Sequence, residues 1–130
     1  MGARRYVTEL RPGAFAITLM EGRSSVARIG VAVADQDHVM RVRRVDVVPG
    51  ARRHGVATTL YERAAKLACS RFGLPLSSDI DRSPRSEAFW QKQMTKGRAR
   101  RVPSNEHEGT LYVLSCPAPR SLSGSKRRGS

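Results

Sequence analysis

The segment VDVVPGARRHGVATTL, Val45 to Leu60, constrains this chain most, because its apolar period changes there once and abruptly. Val45 and Val47 keep the two-residue period of a strand, and Pro49-Gly50 ends that run, since proline cannot continue a sheet ladder. From Gly55 onward Val56, Leu60, Ala64, Leu67, Ala68 and Phe72 fall at helical intervals, and Gly73 supplies a stop. The turn between strand and helix is rich in glycine and arginine. A helix N-terminus presents unpaired N–H groups and partial positive charge, so a turn that gathers those groups around one point binds phosphate.

The flanking sequence supplies a sheet for this unit to pack on. Gly13 and Gly22 bracket a run in which Phe15, Ile17 and Leu19 alternate with smaller or polar residues, predicting a strand over 14–21. Val26 to Ala34 reads as a second strand, Asp35-Gln36-Asp37 as a turn, and Val39 to Val48 as a third strand. In that third run Met40 and Val42 lie on one face and Val45 and Val47 on the other, which a β-bulge near Arg43-Arg44 reconciles. Leu74-Pro75-Leu76 gives a short strand. Ser83 caps a second helix with Pro84 in its first turn, Phe89, Trp90 and Met94 along it, and Gly97 at its end. Leu111 to Leu114 forms a last strand. The expected class is α+β: a mixed, largely antiparallel twisted sheet with two main helices, one domain over 1–117 and a disordered basic tail over 118–130.

Composition narrows the partners without choosing one. Twenty-four Lys and Arg against eleven Asp and Glu leave a net charge of +13 on 130 residues, favouring anionic ligands such as nucleotides, nucleic acid or acidic peptides. The excess is not confined to the tail, since Arg41, Arg43, Arg44, Arg52 and Arg53 and then Arg98, Arg100 and Arg101 lie within the expected domain. Cys69 and Cys116 have no metal-ligand spacing and read as two free thiols in a reducing compartment. No apolar run reaches membrane-span length and the N-terminus has no apolar signal region, so the expectation is a cytoplasmic protein with no membrane partner. His38 and His107 read as solvated, and three isolated histidines do not make a metal site.

The loop lacks GxxxxGK[ST] and GxGxxG, which disfavours nucleotide triphosphate hydrolysis and dinucleotide chemistry. What it carries is R-x-x-G-x-A, Arg52 to Ala57, preceded by Val48-Pro49. This resembles motif A, Q/R-x-x-G-x-G/A, of the GNAT superfamily of N-acetyltransferases. The likeness extends in outline over residues 14 to 115 and is specific over 45–73. It implies acetyl-CoA as cosubstrate, its pyrophosphate held by Arg52, Arg53, His54, Gly55, Val56 and Ala57, its pantetheine arm running along Val47 and Val48. The His54 imidazole is a further candidate for approaching a phosphate.

Many members of that superfamily carry N-x-x-A-x-x-x-Y in the following helix, where the asparagine touches the cofactor and the tyrosine protonates the leaving thiolate. This chain has Ser83, Ser86 and Trp90 at those spacings. The resemblance therefore puts Ser83 and Trp90 against the cofactor but leaves the usual general acid missing, because an indole N–H is no acid of phenol strength. The stretch SDIDRSPRSEAFWQKQMTKGRA is also similar to short phage and bacterial GNAT-like proteins. Asp46, on the strand beside the pantetheine groove, is the candidate base, with a carboxylate paired to Arg44 as its other reading. The implied function is transfer of acetyl to a primary amine of unidentified acceptor. Two alternatives stand beside it: a non-catalytic nucleic-acid-binding protein, and an acyltransferase whose acceptor is carried on nucleic acid.

Overall fold

The computed structural model describes residues 3–52 and 55–116. Arg53 and His54 of the loop, and the expected tail over 118–130, lie outside the described residues. The elements run β1 (Arg4–Arg11), β2 (Ala14–Glu21), β3 (Ser24–Ala34), β4 (Val39–Val47), α1 (Val56–Leu67), β5 (Leu76–Ser77), α2 (Pro84–Thr95), β6 (Ala99–Pro103) and β7 (Thr110–Leu114). The strands form one sheet in the order β1-β2-β3-β4-β5-β7-β6. Every neighbouring pair is antiparallel except β4–β5, which is parallel. The α+β class and the mixed, largely antiparallel sheet expected from the sequence are what the chain adopts.

Two strands were not anticipated, β1 and β6, and both are edges of the sheet. Their sequences, RRYVTELR and ARRVP, are dominated by charge and end in proline or a turn. An edge strand carries such residues to discourage pairing with another chain, which hides the strand from a reading based on apolar alternation. β1 joins β2 through Pro12-Gly13, and Gly13 takes a positive φ of 71° beside the Val33 side chain.

The bulge in β4 falls where the apolar pattern placed it. Gly30 pairs with Arg44 and Val31 with Val42, leaving Arg43 as the extra residue. One added residue reverses which side chains face inward, so Met40, Val42, Val45 and Val47 all join the same core. That core sets Phe15, Ile17, Leu19, Ile29 and Val31 of the sheet against Val56, Leu60, Tyr61 and Ala64 of α1, with Trp90 of α2 completing it. Leu60 is fully buried there, a placement worth roughly 1.5–3 kcal/mol for such a side chain.

α1 ends in a π-helical turn, Ala68–Phe72, that Gly73 terminates in the left-handed region. Within this turn Cys69 forms a disulfide with Cys116, their Cα atoms 5.7 Å apart. This corrects the expectation of two free thiols. The pair is 47 residues apart in sequence, and only the sheet order, with β7 beside the strand that follows α1, brings the two ends together. The cysteines accordingly no longer argue for a reducing compartment. Among the described residues no helix is long and apolar enough to cross a membrane.

Replacing both cysteines with alanine is expected to lower the unfolding free energy by about 2–4 kcal/mol. Urea titration without reductant measures this, and added reductant should move the wild-type midpoint to that of the variant.

Candidate active site

The site begins where β4 loses its neighbour. β4 and β5 pair only at Met40–Leu76 and Arg41–Ser77, after which the two strands part and the far half of β4 presents a free edge. On its other side β4 remains paired with β3 through Val47. Antiparallel pairs alternate between residues that exchange hydrogen bonds and residues that do not. The Val48 N–H bonds to the Val26 carbonyl at 2.9 Å, so Asp46 and Arg44, two and four residues earlier, also spend their backbone groups on β3. Val45 and Val47 consequently point their N–H and C=O groups out from the free edge.

That edge forms one wall of a cleft of about 1130 Å³, lined by Val45 to Pro49 and Arg52, by Ala57, Thr58 and Tyr61 of α1, and by the face of α2 that runs from its Ser83 cap to Lys92. The volume exceeds the range of about 300–1,000 Å³ usual for drug-sized ligands, and so suits a longer one. α1 enters the cleft with its N-terminus bare: among the described residues no side chain caps it, and its first turn holds no acidic residue. Its N-cap is Gly55, at φ 67°, with nothing within 4 Å of the place a Cβ would occupy. The left-handed turn at Gly55 thereby starts the helix immediately beside the end of β4, leaving first-turn N–H groups without intrahelical acceptors. Among the described residues, Arg52, Arg85 and Lys92 are the cations of the lining and Asp46 is its carboxylate. An anion at the α1 end meets helix dipole and guanidinium together.

The far wall, α2, is fixed by a polar cluster. Ser83 caps it by accepting the Ser86 N–H at 3.2 Å. Arg82 donates to the carbonyls of Asp79 and Thr110, each at 2.9 Å, and to Glu87 at 2.7 Å. Glu87 also accepts from Gln91 at 2.9 Å and from the Tyr112 hydroxyl. These donors, Arg82 foremost, then Tyr112 and Gln91, hold the Glu87 carboxyl down to about 2. An aromatic stack continues the wall: Tyr61 lies 4.0 Å from Phe89, centroid to centroid, and edge-on to Trp90, which itself stacks on Tyr112.

The residues expected from the sequence divide on this geometry. Val47, Arg52, Ala57 and Ser83 line the cleft together, and Gly55 and Val56 start the helix that borders it. Val48 lines the cleft as well, but its N–H is committed to Val26. Arg52 lays its Nε on the Val47 carbonyl at 3.1 Å, tying the loop back to the strand end. Asp46 lies on the lining and pairs with Arg44 at 2.7 Å, both side chains exposed. Arg53 and His54 lie outside the described residues.

Trp90 requires a correction, because its side chain is 0% exposed and is not part of the lining. The stack against Tyr61, Phe89 and Tyr112 draws the indole into the core, where its N–H makes no hydrogen bond of normal geometry. Spacing alone missed Val45, Tyr61 and Ser86. Tyr61 sits at a core position of α1, yet its hydroxyl lies 3.4 Å from Ser86 Oγ on the cleft wall. Burial pushes this phenol up, against the pull of Ser86 and Trp90, so it stays protonated at neutral pH.

No family model matches the chain, and no curated protein matches its sequence. Solved structures do match. The ribosomal-protein-S18-alanine N-acetyltransferase of Escherichia coli superposes with a TM-score of 0.60 at 14% identity, covering 87% of this chain and 76% of that one. A GNAT-family acetyltransferase of Staphylococcus aureus gives 0.56 at 11% identity, covering 81% and 69%. An IAA acetyltransferase of Bacillus cereus gives 0.52 at 14% identity, covering 78% and 75%. The chain has the GNAT fold.

Because its folded pKa is depressed, Glu87 stabilises the α2 anchor fully above its ordinary value of 4.5 and progressively less as pH falls toward about 2. Wild type should therefore melt at higher temperature than Glu87→Gln above pH 5, and the two should converge near pH 2. Thermal melts of both proteins across that range measure the effect.

Proposed function

We propose that the chain is an N-acetyltransferase of the GNAT type, which binds acetyl-CoA in the cleft between β4, α1 and α2 and transfers the acetyl group to a primary amine. The observation that carries this reading is the free edge of β4 running into the bare N-terminus of α1. A ligand with a diphosphate at one end and an amide-bearing arm at the other satisfies both at once. The diphosphate meets the α1 N–H groups and Arg52; the arm pairs with Val45 and Val47 as an added strand would. The GNAT fold and the loop pattern Arg52 to Ala57 support the same ligand.

Little side-chain chemistry is needed beyond this. The amine nitrogen attacks the thioester carbonyl carbon, the carbon–sulfur bond breaks, and the amine sheds a proton while the thiolate gains one. A backbone N–H on the β4 edge polarises the carbonyl oxygen as negative charge develops there. Asp46, the carboxylate of the lining, accepts the amine proton directly or through water. Tyr61, the phenol of the lining, is the group with a proton to give, in place of the tyrosine that Trp90 replaces.

Calorimetric titration with acetyl-CoA at moderate salt should give saturable binding to the wild type and none to Gly55→Glu, whose side chain would project a carboxylate at the diphosphate position. Unchanged affinity in that variant would remove the cleft as the cofactor site.

For turnover, coenzyme A release from acetyl-CoA is followed against a panel of peptides bearing free amino termini or lysines. Asp46→Asn and Tyr61→Phe should each slow transfer by about 10²–10⁴-fold, the range typical of positioned acid–base groups, with acetyl-CoA affinity retained. Equal rates in both variants would leave proton transfer to solvent alone.

A further inference from the structure

The face of the sheet turned away from α1 is built unlike an ordinary solvated one. In register, Arg11, Ala14 and Ala32 form one row across β1, β2 and β3; Glu9, Ala16, Gly30 and Arg44 form the next; Val7, Thr18, Arg28 and Asp46 form a third. The two central strands thus present Ala14, Ala16, Ala32 and Gly30 side by side, where a solvent-facing sheet normally carries long polar or β-branched residues. These small residues are poor strand formers, and Ala14, Ala16 and Gly30 floor a shallow groove of about 250 Å³. Its centre is open, since no atom lies within 4 Å of where a Cβ on Gly30 would stand.

The walls of the groove are cationic. Arg11 and Glu9 rise from β1, Arg28 from β3 and the bulged Arg43 from β4, with Arg44 next to it. Glu9 is taken by Arg28 at 3.5 Å and Asp46 by Arg44 at 2.7 Å. Arg5, Arg11 and Arg43 are exposed and have no carboxylate partner among the described residues. From β1 to β4 the trough spans three strand spacings, about 14 Å. An extended polypeptide fits that width, whereas a nucleic-acid duplex, with a major groove alone about 12 Å across, meets only the rims. Single-stranded nucleic acid is bound on stacking platforms, and among the described residues no aromatic ring lies on this face: Phe15 turns inward onto Phe72, and Tyr6 packs under Arg63 of α1.

We infer that this trough docks an acidic, extended segment of polypeptide. Resting on the acetyltransferase reading, we further infer that the docked segment carries the acceptor amine. Asp46 joins the two places, since its side chain lies in the trough row with Arg28 while the residue also lines the cleft. An ammonium group entering over Asp46 arrives at the free edge of β4, with carboxylates farther along the same segment held by Arg43 and Arg11.

The test uses a peptide of six Gly-Glu repeats with a free amino terminus and a C-terminal fluorophore, titrated by anisotropy with the full chain. Gly30→Trp, which fills the floor, and Arg11→Gln/Arg43→Gln, which strips the walls, should each weaken binding about tenfold or more. Lys66→Gln/Lys96→Gln, removing the same charge from the exposed helix surfaces, should change it little. Circular dichroism and acetyl-CoA affinity, both expected to match wild type, report that the trough variants are folded. Equal losses in the lysine control, or no loss in the trough variants, would overturn the docking site. Stronger binding of a short DNA duplex or single-stranded RNA, lost in the trough variants, would overturn the choice of occupant. Should wild type fail to bind acetyl-CoA while the trough variants still lose the peptide, docking stands and the acetyltransferase reading falls. With both ligands bound, acetylation of the peptide amino terminus, read by mass spectrometry, supports the acceptor assignment, and its absence overturns that part alone.

Discussion

The parting of β4 from β5 after two residue pairs is the constraint on which the rest of the site depends. Backbone N–H and C=O groups are strong, obligatory hydrogen-bonding groups, and a strand that gives up a neighbour must find other partners for them. In β4 the alternation of bonded and non-bonded pairs with β3 leaves Val45 and Val47 with those unspent groups on the open side. Arg52 Nε already takes one, the Val47 carbonyl, and the others face the cleft. β5 is too short to follow β4 farther. Beyond it Ser78 continues the connection to β7, its hydroxyl oxygen accepting the Tyr112 N–H and its own N–H donating to the Tyr112 carbonyl. The wedge is therefore closed at its base by hydrogen bonds and open at its mouth.

A wedge of this kind needs rigid walls, and the two helices obtain theirs differently. α1 is held by apolar burial, with Val56, Leu60, Tyr61 and Ala64 pressed on the sheet. α2 buries only Trp90 and Gln93, too little for burial alone, and depends on Arg82 and Glu87 at its N-terminal end. Glu87 in the first turn also complements the helix dipole. A second ionic cluster braces the other end of the sheet, where Arg41 and Asp37, both almost fully buried, meet at 2.6 Å and Ser104 donates to the same carboxylate. Buried pairs of this sort fix geometry more than they add stability, since desolvation offsets much of the attraction. Here they fasten the turn after β3 to the loop between β6 and β7, two segments about 68 residues apart.

How much of this was legible in the sequence follows from which signals are local. The strand–turn–helix unit announced itself through one change of period, and α2 through Ser83, Pro84 and Gly97, because caps and stops are written within a few residues. The Arg43 bulge was legible as well, as a conflict between two halves of one apolar pattern. β1 and β6 were not, because the charges that protect an edge erase the alternation that marks a strand. Val45 was overlooked since the direction of its backbone groups depends on register with β3. Trp90 was misplaced for a related reason: its spacing matched a cofactor position, but spacing along a helix does not say that Tyr61, Phe89 and Tyr112 will gather around it. The Cys69–Cys116 bond depends on sheet order alone.

The geometry of β4 lets one short strand carry both proposed sites. Its edge and its outer face are separate surfaces, and period-two geometry divides them without competition. At Val45 and Val47 the backbone turns to the cleft and the side chains to the core; at Arg44 and Asp46 the backbone is spent on β3 and the side chains turn to the outer face. A donor held along the edge and an acceptor held across the face are then neighbours at Asp46, the residue common to both surfaces. The bulge at Arg43 sets this phase. Were Arg43 paired with β3 instead of bulged out, every later residue would change face, carrying Asp46 inward and Val45 outward and placing a carboxylate in the core and apolar side chains on the trough. The bulged pairing of β4 is thus as much a determinant of the proposed chemistry as any group that lines the cleft.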